Sequence, residues 1–257
     1  MTYVHNLNPI AIEIYNIKIH WYSLAYLFGF LLGSFYAKNL LRKVKSTFKE
    51  NMVDDFLTYS IIGVILGGRL GYVFFYNLDF YLHNPIHILR LWEGGMSFHG
   101  GLIGVVIAMI IYSKIKRVVF FDLANIVAAS APIGILFGRI ANFVNSELVG
   151  KPTNGQWGVI FDIENNVLRH PSQLYEAFFE GFVIFMLIRL FLLKDSLKSY
   201  NPCSIFLISY GIFRFIIEFF REPDHHIGYF LSFFTLGQIL CLVMFCLGFL
   251  FLRRGRR

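Results

Sequence analysis

The run Gly138-Arg139-Ile140-Ala141-Asn142-Phe143-Val144-Asn145-Ser146-Glu147 closes a long apolar segment with an arginine, two asparagines and a glutamate. At about 100° per residue, Gly138, Arg139, Asn142 and Asn145 share an arc of roughly 120° on a helix. A charge inside a segment of bilayer length costs a few kcal/mol, so such residues are functional candidates by default. A guanidinium binds phosphate oxygens bidentately and stays charged at any physiological pH, so this polar face suits an anion.

Other polar side chains recur in apolar surroundings. Tyr210, Arg214, Glu218 and Arg221 follow one another at i, i+4, i+8 and i+11 and form one stripe of a helix. Tyr22, Arg69 and His99, the last followed by Gly100 and Gly101, sit in similar settings, as do Glu176 and Glu180. No group of His, Cys, Asp and Glu has metal-ligand spacing, so no metal or cofactor is expected. A serine-nucleophile triad is poorly supported, because no G-x-S-x-G elbow is present. Cys203, Cys241 and Cys246 all lie in apolar stretches and read as small hydrophobes.

The elements that position these residues follow from composition. Of 257 residues, 56% are hydrophobic and 15% charged, and mean hydropathy is +0.60. A soluble domain carries about 25% charged residues, so the expected fold class is an all-α polytopic membrane protein. Apolar runs able to cross ~30 Å of hydrocarbon occur at about 21–41, 56–76, 96–113, 123–144, 172–193, 204–220 and 230–252. That predicts one integral membrane domain of about seven transmembrane helices. The first apolar stretch has no basic n-region before it and no A-x-A-like cleavage site, and is read as retained. Residues 145–170 form the one inter-span segment large enough for a small extracytoplasmic head. Its Gly150, Pro152, Asn154-Gly155 and Trp157–Phe161 read as turns around a short strand or hairpin. Residues 82–92 read as a short amphipathic piece lying in the interface.

The net charge of +7 is unevenly spread. One set of loops and the C-terminal tail hold fifteen basic residues, among them Arg42, Lys43, Lys45, Lys116, Arg117 and Arg253, and the opposite loops hold five. The positive-inside rule then puts the C-terminus in the cytoplasm and the N-terminus outside. Under that topology Tyr22, Arg69, His99, Arg139, Asn142, Glu176, Tyr210, Arg214 and Glu218 all fall in the outer half of the membrane.

A phosphate-bearing lipid head group would explain several arginines buried together. Structural alternatives stay open. Arg214 and Glu218 suit an i,i+4 ion pair, and Arg69 suits a pair with Glu176 or Glu180. Arg139 suits a buried pair with Glu147 or Glu176. Arg221 can snorkel, and the glycines around His99 can serve close helix packing. A lipid or small-anion transporter using the same arginine site is the alternative function, although no paired half-repeats are visible. A non-catalytic scaffold is the third reading.

Six stretches, in order, make the chain resemble the bacterial prolipoprotein diacylglyceryl transferases over nearly its whole length. They are His20-Trp21-Tyr22; Gly67 to Tyr72; Trp92 to Gly101; Gly138 to Phe143 with Asn145, Glu147 and Gly150; Arg169 to Glu176; and Tyr210 to Arg214 followed by Glu218 to Asp224. Where many members of that family carry glycine, this chain has Ala141 and Ser146, both small. The resemblance implies transfer of the diacylglyceryl group of phosphatidylglycerol to the lipobox cysteine of a prolipoprotein, with a thioether formed and glycerol 1-phosphate released. It implies the signal peptide and the lipid bilayer as partners, no nucleic acid, and a place in the bacterial inner membrane. On it, His99 is the candidate base or fixes the thiol, and Arg139 and Arg214 hold the phosphate. Asn142 binds the head group, Glu147 orients Arg139 or meets the glycerol hydroxyls, and Tyr22 and Tyr210 supply hydroxyls. Arg69, Gly100, Gly101, Glu176, Glu218 and Arg221 complete the expected lipid site.

Overall fold

The computed structural model describes residues 2–15, 17–155, 157–161, 165–194, 201–222, 229–230 and 234–254, and over them the chain is mostly helical. Strands β1 (Thr2–Val4), β2 (Ile10–Ile14) and β3 (Ile17–His20) precede helix α1 (Trp21–Leu41). Helices α2 (Val53–Tyr76), α3 (Leu78–His83), α4 (Phe98–Lys116) and α5 (Phe120–Val144) follow. Strands β4 (Gly158–Ile160) and β5 (Leu168–Arg169) then lead into α6 (Ser172–Glu176), a π-helical turn (Ala177–Val183) and α7 (Ile184–Lys194). Helix α8 (Pro202–Ile217), strands β6 (Tyr229–Phe230) and β7 (Phe234–Thr235), and helix α9 (Leu236–Arg254) complete the order.

Among the described residues, three helices, Trp21–Leu41, Glu50–Tyr76 and Phe120–Val144, are long and apolar enough to cross a membrane, and Pro202–Ile217 and Gly237–Leu252 are shorter apolar helices. The segment expected at 204–220 thus ends at Ile217, and the one expected at 172–193 is helical throughout but contains the π-helical turn.

The N-terminal strands were absent from the sequence reading. Strands β2 and β3 pair antiparallel, Ile10 opposite His20, with a register shift between Ile10 and Ile12. Strand β1 joins a three-stranded sheet in the order β1-β4-β5, parallel to β4, which runs antiparallel to β5.

The chain divides into two compact units, Lys38–Ala124 and Met1–Ala37 with Asn125–Arg257. In the Lys38–Ala124 unit, α2 and α4 pack backbone to backbone. A Cβ added to Gly67 would meet the Gly100 carbonyl and lie 2.8 Å from the Cα of Gly104, so only small residues permit this approach. Ser97 caps α4 by accepting from the Gly100 amide at 3.2 Å. At one end of this unit, Lys38–Asp54 and Lys116–Asp55 pair at 2.7 Å each, and Tyr112, fully buried, stacks edge-on against Phe48, Phe56 and Tyr59.

In the other unit, the π-helical turn lies against α5: a Cβ on Gly181 would sit 2.8 Å from the Cα of Leu136. Asn201 caps α8, accepting from the Ser204 amide at 3.3 Å. Helix α9 opens with a reciprocal capping box. The Gln238 amide donates to Thr235 Oγ1 at 3.2 Å, and the Thr235 amide donates to Gln238 Oε1 at 3.1 Å.

Candidate functional site

Within the unit formed by Met1–Ala37 and Asn125–Arg257, three arginines gather on one carboxylate. Arg139 of α5 pairs through Nε with Glu176 Oε2 at 3.0 Å. Arg214 of α8 donates through Nη1 to Glu176 Oε1. Arg221, just past α8, approaches the same oxygen at 3.5 Å. Glu176 sits at the end of α6 and is fully buried. Arg214 also pairs with Glu218 Oε2 at 2.7 Å, one helical turn on. Glu218 in turn accepts from Thr235 Oγ1 at 3.0 Å, which ties it to the start of α9.

Glu180 of the π-helical turn belongs to the same cluster but is held more loosely. Its oxygens lie 3.8 Å from Arg139 Nη2 and 3.6 Å from Arg214 Nη1, and neither accepts a hydrogen bond from the described residues. Single π turns inside α-helices occur frequently at functional sites. Three carboxylates among three guanidiniums offset the mutual repulsion of the arginines and hold them preorganised in a medium of low dielectric. Tyr210, one turn before Arg214, is buried within electrostatic reach of Arg139, Arg214, Glu176 and Glu180.

The side chain of Arg139 is 14% exposed, and a Cβ on the preceding Gly138 would meet nothing within 4 Å. One turn on, Asn142 Nδ2 donates to Glu147 Oε2 at 3.2 Å, and Asn145 Nδ2 reaches Glu147 Oε1 at 3.4 Å. Glu147 is therefore bound by the two asparagines, and the carboxylates paired with Arg139 are Glu176 and Glu180. Tyr22 hydrogen-bonds Tyr26 through their hydroxyls at 3.2 Å and lies within electrostatic reach of Glu147 and Arg139.

Three expected lipid-site residues in the Lys38–Ala124 unit, Arg69, Gly100 and Gly101, have partners within that unit. Arg69, 3% exposed, directs all five of its N–H groups to backbone carbonyls. Nε donates to Ile88 at 2.8 Å, Nη1 to Gly94 and to Gly95 at 3.1 Å, and Nη2 to His87 at 2.5 Å and Arg90 at 3.1 Å. No donor is left for a phosphate or for a glutamate, so Arg69 serves the 87–95 loop. Gly100 and Gly101 are buried against α2, near Gly67 and Val64, where they serve helix packing. His99 lies in the first turn of α4, and its side chain falls outside the described residues.

The loop that Arg69 holds is itself charged. Glu93 accepts from His87 Nδ1 at 2.9 Å and from Arg90 Nη1 at 3.0 Å. Those two hydrogen bonds, His87 first, draw its carboxyl below the ordinary glutamate range.

Three residues escaped the sequence reading as site residues. Gln173 Nε2 donates to the Glu147 carbonyl at 2.6 Å, and Ser172 Oγ donates to the Leu148 carbonyl at 3.1 Å, so α6 braces the turn after α5. His5 reaches the same turn at Ser146 Oγ, 2.9 Å from Nδ1. Burial pushes the His5 imidazole below the ordinary histidine range, against a smaller opposing effect of the Phe143 backbone. The Ser172-Gln173 pair lies beside the charged Glu176 in the Arg169–Glu176 stretch, whereas nothing in residue type or spacing marks His5.

Comparison with known proteins adds an independent finding. Residues 9–254 match the family described as prolipoprotein diacylglyceryl transferase. A phosphatidylglycerol--prolipoprotein diacylglyceryl transferase of Rickettsia felis is 49% identical over 245 residues, covering 95% of each chain. Proteins of the same name from Rickettsia bellii and Rickettsia rickettsii are 48% and 47% identical over 95% of this chain and 93% and 95% of their own.

Proposed function

The chain belongs to the prolipoprotein diacylglyceryl transferase family, and we propose that it transfers the diacylglyceryl group of phosphatidylglycerol to the lipobox cysteine thiol of prolipoproteins, the first step of bacterial lipoprotein maturation. The observation that carries this reading to particular residues is the convergence of Arg139, Arg214 and Arg221 on buried Glu176, in a chain that matches named transferases over 95% of its length.

The reaction forms a bond between the cysteine sulfur and the sp³ carbon of the lipid glycerol and breaks the bond from that carbon to the phosphate oxygen. The thiol proton goes to a base, and glycerol 1-phosphate leaves. Charge grows on the departing phosphate, so preorganised guanidiniums stabilise the transition state more than the ground state. Arg139 and Arg214 take this role, each steadied along one edge by Glu176. The phosphate approaches Arg139 from the side of Gly138, where no atom would crowd even an added Cβ. Asn142 binds the head group, with Glu147 beside it for the glycerol hydroxyls, and Tyr22 and Tyr210 supply further hydroxyls. A free thiol titrates near pH 8.5 and must be deprotonated to attack. His99 is the base that the sequence offers.

We place seven crossings at the segments given above, with the N-terminus periplasmic, the C-terminus cytoplasmic and residues 145–170 as a small periplasmic head. The excess of basic residues on one set of loops supports this orientation. Incubating the purified chain with phosphatidylglycerol and a lipobox peptide should give a diacylglyceryl thioether by mass spectrometry, and a peptide with serine for the cysteine should give none. Retention of lipid without transfer would overturn the enzyme assignment in favour of an anion-binding transporter. His99→Gln that keeps most single-turnover activity would remove the base assignment alone.

A further inference from the structure

Helix α5, which carries Arg139 and Asn142, ends in a Schellman motif. The Glu147 amide donates to the Asn142 carbonyl at 2.9 Å and the Ser146 amide to the Phe143 carbonyl at 3.1 Å. That motif puts the residue after the cap in the left-handed region, and Ser146 has φ 56°. Glycine is the usual occupant, and an L-residue there is strained. The turn therefore needs an anchor.

The N-terminal segment supplies one. His5 continues β1, its amide donating to the Ile160 carbonyl of β4 at 2.9 Å. Its side chain is 5% exposed and lies edge-on to Phe143 at 5.2 Å and beside Phe161 at 5.5 Å. From that slot Nδ1 meets Ser146 Oγ at 2.9 Å. On the other side of the turn, Gln173 of α6 holds the Glu147 carbonyl, three residues before Glu176. The turn thus joins the helix of Arg139 to the helix of its carboxylate partner, and its geometry sets where Asn142 and Glu147 stand.

We propose that His5 is a positioning residue for the transfer reaction: by latching the hydroxyl of Ser146 it holds the strained turn at the end of α5, and with it Asn142 and Glu147, in working geometry. This inference rests on the transferase reading above. Neither His5 nor Ser146 touches the substrate in it. The latch does work that a glycine at 146 would make unnecessary.

The test is a mutant cycle read as kcat at saturating phosphatidylglycerol per folded molecule, with thermal unfolding followed in parallel. One hydrogen bond is worth about 1 kcal/mol, or roughly a fivefold change in an equilibrium. His5→Ala and Ser146→Ala should each lower kcat about fivefold, and the double variant should be no worse than either, because both break the same link. Ser146→Gly loses the hydroxyl but relieves the backbone. It should keep kcat within about twofold of the unmodified chain and restore His5→Ala to that level. If His5→Ala does not fold, the pair Ser146→Ala and Ser146→Gly decides alone, since His5 stays packed in both. Equal activity of those two, additive losses in the double variant, or failure of Ser146→Gly to rescue a folded His5→Ala would overturn the proposal. An unmodified chain that makes no thioether would instead overturn the transferase reading.

Discussion

Arg69 and Arg139 are both mostly buried guanidiniums in apolar helices, and from residue type alone they look interchangeable. Their surroundings differ in kind. Arg69 spends five N–H groups on five carbonyls of its own unit, with the ring of Tyr81 5.2 Å from the guanidinium carbon. Carbonyls are neutral and fixed by the chain, so this arginine acts as a tie for a loop that includes Gly94 and Gly95, both at φ near 80°. Arg139 and Arg214 are held by carboxylates, which are charged side-chain groups, and in the proposed reaction they share the guanidiniums with the substrate phosphate. The difference teaches that the partner set, more than burial, separates an arginine that ties the main chain from one held by other side chains.

That contrast is broken most directly by lysine, which keeps the charge and loses the planar fork. Arg139→Lys should lower kcat by about 10²- to 10³-fold, the usual loss when an oriented donor to developing charge is removed, with little change in unfolding temperature. Arg69→Lys should do the reverse. It can satisfy at most three of five carbonyls, so unfolding temperature should fall while kcat per folded molecule stays within a few-fold. Matching kcat losses in the two variants would end the distinction.

The same comparison can be sharpened inside the cluster. Glu176 is contacted by three arginines, one of them at 3.0 Å, whereas Glu180 stands 3.6 and 3.8 Å from its two. Breaking a buried ion pair by removing one partner costs about 3–5 kcal/mol. Glu176→Gln is expected near that figure by chemical denaturation, and Glu180→Gln at about 1 kcal/mol or less. Equal destabilisation would mean that the two carboxylates share the arginines evenly.

The arginine–glutamate cluster was legible in the sequence because charges in apolar segments are expensive, and only function or pairing keeps them there. Which of the two applied was not legible. Arg69 has the same signature, and its partners are main-chain atoms that carry no residue code. The β2–β3 hairpin was readable in principle from the alternation of Ile10, Ile12 and Ile14, but charge and hydropathy drew the reading to the segment after it. Strand β1 has three residues and pairs with a strand more than 150 positions away, so no local pattern could have announced it. The π-helical turn leaves composition and hydropathy unchanged, and it became visible only through hydrogen bonding. The strand expected near 157–161 had turn residues on both sides, and it forms at Gly158–Ile160.

Acid separates the two regions by a smaller effect. His5 has its imidazole held below the ordinary value of 6.5 by burial, so the docked N-terminal segment prefers the neutral ring. The unfolded or undocked segment then binds more protons than the docked one, and docking weakens as pH falls below ~6.5. Glu93, in the loop that Arg69 ties, has its carboxyl held below the ordinary 4.5 by His87 and Arg90. Its contribution is complete above 4.5 and fades only as pH drops through the lowered value. Amide hydrogen exchange across a pH series, corrected for intrinsic rates, should therefore show residues 145–148 losing protection first, as pH falls below about 6.5. The 87–95 loop should hold until pH is below about 4.5. His5→Ala should abolish the first change and leave the second. Simultaneous loss of protection in the two segments would show that neither group sets the acid response of its own region.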